Sequence, residues 1–323
     1  MKQFVSKFLV LLGALALAAT GAFAQSYPSK PIRIIVPFPA GGPSDVLSRI
    51  IGQKMSENWG QQVIVDNRPG GNTFIGAEAV AKSAPDGHTL LMAIDSTLVM
   101  NQYLYSKIPY DPLKDFAPVT LTVWSHIIMV ADAATGPKSV RELIDFAKAN
   151  PEKANFGAGT ITTQLGGELF KRAAGVNMVF VPYKGSPGTV QGLLSRDVTV
   201  IFDGVTSSVP HIKSGKFRVL ATAGTRPIPA LPGTPKLSDM PGFSGFDVVV
   251  WQGIVAPTGT PADVIAKLQQ EIVRIYSLPD ARDKIIAAGL DPVTSTPAEF
   301  GAFIRREADR WSKAIKETGI KLE

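Results

Sequence analysis

The 323-residue chain carries 33 lysines and arginines against 27 acidic residues, is 45% hydrophobic, and has three histidines and no cysteine. The absence of cysteine excludes disulfides, thiol catalysis and thiolate metal sites. The basic excess is mild and dispersed, with Lys171-Arg172 and Arg305-Arg306 as adjacent basic pairs, and lacks the clustered footprint of a nucleic-acid binder. His88, His126 and His211 lie far apart and read as structural or surface residues, so no metal and no cofactor are expected.

Residues 1–24 combine Lys2 and Lys7, an apolar run from Phe8 to Ala19, and the small-residue site Ala22-Phe23-Ala24. This is the layout of a secretory signal peptide, cleaved near Ala24. No later run approaches the 20 or so apolar residues a membrane anchor needs. The chain beyond residue 24 is long enough for two modest domains or one large one.

The β-branched run Ile32-Arg33-Ile34-Ile35-Val36 predicts a strand, and Val46, Leu47, Ile50 and Ile51 recur at helical spacing. Between them, Pro37-Phe38-Pro39-Ala40-Gly41-Gly42-Pro43-Ser44-Asp45 forms a strand-to-helix turn. Its glycines permit positive φ and close approach to a ligand, and the helix start offers unpaired N–H groups, so the turn suits a carboxylate or phosphate. The alternative is a tight turn in which Ser44 or Asp45 only caps the helix. A second strand at Gln62–Asp66, a loop at Asn67–Asn72, a helix over about 75–82 and an apolar strand at Thr89–Ile94 continue the pattern. Strands alternating with helices at this spacing predict an α/β domain with a mainly parallel sheet. Ligands then sit beyond the carboxyl ends of the strands, where Ala40–Asp45, Gly70–Phe74 and Asp95–Thr97, including Ser96 and Thr97, emerge.

A β-branched stretch over 120–130 leads to a helix from Lys138 to Ala149, ended by Asn150-Pro151. Asn155-Phe156-Gly157-Ala158-Gly159-Thr160 then repeats the opening logic ahead of a helix at 165–174, and reads as the binding loop of a second α/β domain facing the first. Strands at Val179–Val181, Val198–Asp203 and Phe217–Thr222 come next, with Asp203 at a carboxyl end. Residues 225–245 are rich in proline and glycine, and Val248–Trp251 crosses back to the first domain. Thr260-Pro261 opens a helix to about Ser277, and Phe300, Phe303, Ile304, Trp311 and Ile315 mark the packing stripe of a last amphipathic helix. The resulting division is 25–124 for the first domain, 125–247 for the second, and 248–323 for the return and a helical C-terminal segment.

Several of these segments together resemble a known family. Pro31–Val36 with Pro37-Phe38-Pro39-Ala40-Gly41-Gly42 and Asp45, Asn67-Arg68-Pro69-Gly70, Asp86-Gly87 with Thr89-Leu90, Val181-Pro182-Tyr183-Lys184-Gly185 and Ala256-Pro257 with Gly259-Thr260-Pro261 are similar to the Bug-type, TctC-like receptors of tripartite tricarboxylate transporters. The likeness runs in order along essentially the whole chain after residue 24. It implies a two-domain periplasmic binding protein of the type II, Venus-flytrap class with two crossover strands. It also implies a small organic acid ligand held by backbone N–H groups, hydroxyls and waters, and two integral-membrane transporter subunits as partners.

The chain departs from that family's pattern at Thr160-Ile161-Thr162-Thr163-Gln164, where Gly-Ser-x-x-His is common, and at the bulkier Asn72, Thr73 and Phe74. His88, Gly192 and Ser195-Arg196 also depart, and read as peripheral.

The candidate ligand-binding residues are therefore Phe38, Ala40, Gly41, Gly42, Ser44, Asp45, Ser96, Thr97, Thr160, Thr162, Thr163, Tyr183 and Asp203. Asp45 either meets the ligand or caps its own helix. Asp203 carries the same ambiguity, and Tyr183 either closes over the ligand or packs between domains. Phe38 reads either as packing on the ligand's carbon skeleton or as a core residue at the strand end, and the resemblance, which implies an apolar residue there, favours the pocket. Arg68 and Lys184 read as ordering their own loops, Trp251 as hinge packing, and Asp95 as solvated. The leading expectation is a monomeric, non-enzymatic periplasmic receptor for a small organic acid, a carboxylate with an amino acid or an aromatic acid as the other options. The alternatives are a sensory coreceptor for a membrane kinase and an exported hydrolase or lyase, for which no Gly-x-Ser-x-Gly elbow or cysteine nucleophile is present.

Overall fold

A computed structural model describes residues 27–318, so the signal-peptide reading falls outside the described residues. The chain opens with β1 (Ile32–Val36), α1 (Pro43–Trp59), β2 (Val63–Asn67), α2 (Phe74–Ala81) and β3 (Thr89–Ile94), followed by a wide helical turn at Ser96–Met100, in which the Asn101 N–H donates to the Ser96 carbonyl, and the short α3 (Asn101–Leu104). β1 pairs in parallel with β2 on one side and β3 on the other. Both faces of this wing are covered, which is why its strands are nearly continuous apolar runs. Ile32, Ile34 and Val36 pack with Leu47, Ile51 and Met55 of α1 on one face. Ile35, Leu91 and Ala93 pack with Ala77 and Val80 of α2 on the other, as the two-residue period of a strand requires.

β4 (Phe116–Asp132) is 17 residues long and changes partners midway. Phe116 to His126 pair antiparallel with β9 (Val249–Pro257), whereas Ile127 onward pair with β7 (Val200–Gly204) and β8 (Phe217–Thr222). Between β4 and β9 run α4 (Val140–Ala149), β5 (Asn155–Ala158), α5 (Ile161–Ala174), β6 (Val179–Pro182), α6 (Gly185–Leu194) and α7 (Val205–Lys213). In this second wing β5 pairs in parallel with both β6 and β7. Its core is aromatic, with Phe170 stacked on Phe243 at 5.4 Å and Phe156 and Phe202 edge to face at 5.8 Å.

The whole sheet runs β2-β1-β3-β9-β4-β7-β5-β6. It is parallel in each wing and antiparallel through the middle, because the chain leaves the first wing along β4 and returns along β9 in the opposite sense. The return continues as α8 (Ala262–Ser277), α9 (Pro279–Ala287), β10 (Leu290–Pro292) and α10 (Pro297–Thr318). Trp251 on β9 is buried against Phe300 and Phe303 of α10, with ring centroids 5.8 and 5.1 Å away. The stripe of Phe300, Ile304, Trp311 and Ile315 anchors α10 on the first wing.

Candidate functional site

Four helices begin at one small cavity of about 40 Å³ between the wings. From the first wing, the turn after β1 brings Phe38, Pro39, Gly42, Pro43 and Ser44. Pro43 opens α1, so one N–H that would lack a partner is already absent, and Gly42 precedes it in an extended conformation (φ −83°, ψ 173°) with no side-chain cap. Gly41 is the residue with positive φ, 85°. From the second wing, Thr160 and Thr163 stand at the start of α5, Gly185, Ser186 and Pro187 at the start of α6, and Gly204 immediately before α7. The linking strands close the rear with Ser125 of β4 and with Val250 and Gln252 of β9.

The second-wing loops are locked together. A Cβ on Gly159 would fall 2.5 Å from the Gly185 carbonyl carbon, so only glycine allows the approach in which the Gly185 N–H donates to the Gly159 carbonyl at 3.1 Å. Thr160 and Thr163 form a reciprocal cap. The Thr163 N–H donates to Thr160 Oγ1 at 3.2 Å, and the Thr160 N–H to Thr163 Oγ1 at 3.0 Å. These hydroxyls thus cap α5 and line the cavity at once.

None of the cavity-lining residues is ionisable. Positive potential comes from the helix starts, whose first N–H groups lack intrahelical partners and carry the positive end of the helix dipole. A buried carboxyl lies one layer back. Asp203 is buried, and Ser186 Oγ donates to its Oδ1 at 2.6 Å while Ser208 Oγ donates to Oδ2 at 3.4 Å. Burial pushes its carboxyl up to about 7 against the opposing bonds from Ser186, the Gly204 N–H and Ser208.

The structure brings Phe38, Gly42, Ser44, Thr160 and Thr163 together at the cavity. Ala40 and Gly41 are exposed on the outside of their turn, where the Gly41 carbonyl accepts from Ser207 of α7 at 3.3 Å. Asp45 is turned away from the cavity. Its oxygens accept from Arg49 at 3.0 and 2.8 Å and from the Gly41 N–H at 2.9 Å. Burial would raise its pKa, but the Arg49 and Gly41 hydrogen bonds, with Asn67 and the Arg49 charge, hold it below the usual value. Ser96 and Thr97 are buried in the turn after β3, with Thr97 Oγ1 donating to Thr73 Oγ1 at 3.0 Å.

Asp95 differs from the solvated reading. It is fully buried, because α5 of the second wing covers this strand end, and Thr162 Oγ1 donates to its Oδ1 at 3.0 Å beside the Ser96 N–H at 2.7 Å. Burial pushes the Asp95 carboxyl up to about 7, opposed by the Ser96 and Thr162 hydrogen bonds. Thr162 therefore reaches across the cleft behind the cavity rather than lining it.

Tyr183 packs within the second wing. A Cβ on Gly192 would fall 2.2 Å from its hydroxyl, and one on Gly157 would fall 2.9 Å from its ring. Gly192 is thus the space into which that ring fits, and not a peripheral substitution. Gly192→Ala is expected to lower stability by roughly 1–2 kcal/mol in urea denaturation despite the gain in helix propensity. Adding Tyr183→Leu to the same chain should recover most of the loss.

Tyr183 also borders a wider recess of about 410 Å³ outside the cavity, formed with Gly70, Gly71, Asn72, Thr73 and Lys184 and sharing Phe38, Pro39 and Gly185 with it. Asn72 and Thr73 take φ of 49° and 81°, and Asn101 Nδ2 donates to the Asn72 carbonyl at 3.0 Å to hold that bend. Asn72 and Thr73 therefore shape the mouth, while Phe74 packs edge to face on Tyr105 and Tyr110. Arg68 braces its own loop through Asp66 at 3.0 Å. Among the described residues, no three His, Cys, Asp or Glu side chains gather where a metal could sit.

Sequence reasoning missed Ser125, Gln252, Ser186 and Gly204. Gly185-Ser186-Pro187 after β6 offered a usable signal, since it mirrors Gly42-Pro43-Ser44 after β1. Gln252 is an isolated polar residue in an otherwise apolar strand, which is the available sign that a buried strand opens onto a polar space, whereas Ser125 stands beside His126 in a strand that also carries Thr120 and Thr122 and offers no such sign.

A family model described as the tripartite tricarboxylate transporter family receptor matches residues 47–320. The chain is 33% identical to protein BugT of Bordetella pertussis over 325 residues, covering 99% of each. Among solved structures it is similar to R. palustris Rpa4515 with adipate, at 29% identity and a TM-score of 0.88 over 92% of this chain and 99% of that one. It is also similar to MatC from Rhodopseudomonas palustris with bound malate, at 28% identity and a TM-score of 0.82 over 90% of this chain and 100% of that one. The chain therefore belongs to the TctC family of tripartite tricarboxylate transporter receptors, which are periplasmic binding proteins of this two-domain α/β fold.

Proposed function

We propose that this protein is a periplasmic receptor that closes its two domains on a small carboxylate and delivers it to the two membrane subunits of a tripartite tricarboxylate transporter. The observation that carries this reading is the convergence of four helix starts on one cavity without an ionisable side chain. Helix N-termini favour anions through oriented N–H groups and the helix dipole, and four acting together supply an anion site without a cation. The relatives solved with adipate and with malate support a small acid as the ligand.

On this reading Phe38 packs against the carbon skeleton, and Gly42, Ser44, Thr160 and Thr163 face the carboxylate. Asp45 positions the first turn through Gly41 rather than meeting the ligand. The hinge lies near 124/125 and 247/248, supported by the exchange of β4 partners between His126 and Ile127. Export through residues 1–24 and action as a monomer complete the proposal. No helix among the described residues is long and apolar enough to cross a membrane.

A thermal-shift panel of mono-, di- and tricarboxylates, hydroxy acids, amino acids and aromatic acids tests it. A true ligand at 100 times its dissociation constant adds about 2.7 kcal/mol of stability. No shift with any acid overturns the receptor reading, and consumption of a bound acid by purified protein overturns the non-enzymatic one.

A further inference from the structure

We propose that Ser186, fixed by Asp203, is a hydrogen-bond acceptor at the ligand, so that the acid this protein holds carries a hydroxyl group on its carbon skeleton. This rests on the receptor reading above and narrows its ligand class.

A serine hydroxyl has one hydrogen. Here it is committed to Asp203 Oδ1 at 2.6 Å, within a pair that is buried on both sides. What Ser186 presents to the cavity it lines is therefore its lone pairs. A methyl group built on Gly204 would stand 3.8 Å from Ser186 Oγ and 3.7 Å from Ser125 Oγ, with Pro43 Cγ of the opposite wing at 3.2 Å, so the missing side chain leaves a narrow space beside both hydroxyls that Pro43 borders. Gln252 lines the same cavity, 1% exposed, and its Oε1 has no partner in the protein.

A ligand carboxylate at Ser186 would set lone pair against lone pair, with the Asp203 carboxyl directly behind. A ligand donor there completes the bond. An ammonium would donate as well, but the carboxyl that could compensate its desolvation, Asp203, stands behind Ser186 and not at the wall, whereas a hydroxyl loses far less on leaving water. The cavity is thus divided into helix starts that donate to a carboxylate and a Ser186 corner that accepts from a hydroxyl. Asp203 is a positioning residue, since it acts only through Ser186.

The test is calorimetry at pH 8, where Asp203 is ionised and can only accept. Each acid that shifts the melting temperature is measured beside its partner differing in one hydroxyl, such as succinate beside malate or glutarate beside 2-hydroxyglutarate, and beside the matching amino acid. The hydroxy acid is expected to bind roughly 10- to 100-fold more tightly than its parent, because the parent leaves a buried acceptor unpaired. In Ser186→Ala that ratio should fall to near one, through a loss of affinity larger for the hydroxy acid than for its parent. Asp203→Asn, which retains the shape, should reduce the ratio without removing the site. Equal binding of parent and hydroxy acid by the natural protein overturns the inference but leaves the receptor reading standing, as does an amino acid that binds best. An equal loss for both acids in Ser186→Ala overturns it too, by showing a purely structural role. Absence of binding by every acid removes the receptor reading and this inference together.

Discussion

Gly204→Val is expected to abolish ligand binding while leaving the ligand-free protein folded. Gly204 has ordinary extended backbone angles (φ −69°, ψ 143°), so a β-branched residue is compatible with its conformation. Glycine is there for room. A Cβ would stand 3.2 Å from Pro43 Cγ, which belongs to the opposite wing, and the two further methyls of valine would enter the space beside Ser125 and Ser186. Overpacking a site by this much costs about 1–3 kcal/mol, and here the strain is relieved by opening the cleft. The expected calorimetric result is a loss of affinity of about 100-fold or more. The melting temperature without ligand should stay within about 3 °C of the natural protein's. Unchanged affinity would show that the ligand does not approach Gly204.

Replacing both buried aspartates by asparagine is expected to change how stability depends on pH. Asp95 and Asp203 each have a folded-state pKa raised from 3.8 to about 7. A raised carboxyl binds its proton more tightly in the folded chain than in the unfolded one. Its contribution is therefore full below about pH 4, is lost as pH rises towards 7, and is flat above. Each carboxyl can account for at most about 4 kcal/mol of that loss. Asp66 and Asp86 have lowered pKa values and are already ionised in this window, so they add no slope between pH 5 and 8.

Burial lowers the pKa of His126, which adds a slope of opposite sign at the acidic end. The clean readout is thus the difference between the two proteins. Asp95→Asn with Asp203→Asn should be more stable than the natural chain at pH 8 in urea denaturation, and the gap should narrow towards pH 5. Parallel profiles would rule out the buried-carboxyl account. Asparagine suits these sites because its side-chain oxygen can still accept from Thr162 and Ser96, or from Ser186.

The parts of the fold that follow a local period were legible. Ile32 to Val36, the glycine turn and the helix after it read directly as strand, turn and helix, and Thr160 announced the second binding loop by repeating the first. The antiparallel centre was less legible, because a 17-residue strand that changes partners at His126 has no local signature. The same limit explains the site. Gly42, Ser44, Thr160 and Thr163 belong to turns and were found, whereas Ser125 and Gln252 reach the cavity only because two strands remote in sequence lie side by side. Asp95 was misread for the same reason, since Thr162, its covering partner, lies 67 residues away. Asp203 was placed in the right corner, but its neighbour Ser186 intervenes between it and the cavity.

The lack of ionisable groups in the cavity wall bears on where such a receptor can work. Dissolved salt weakens attraction between charges by gathering counterions around them, over a distance of about 10 Å at 0.1 M. Peptide dipoles fixed inside a closed cleft collect no such atmosphere, and no lysine or arginine at the wall has one to release. Capture held by those dipoles should weaken less than capture by exposed lysines or arginines as the medium outside the cell swings from dilute to saline.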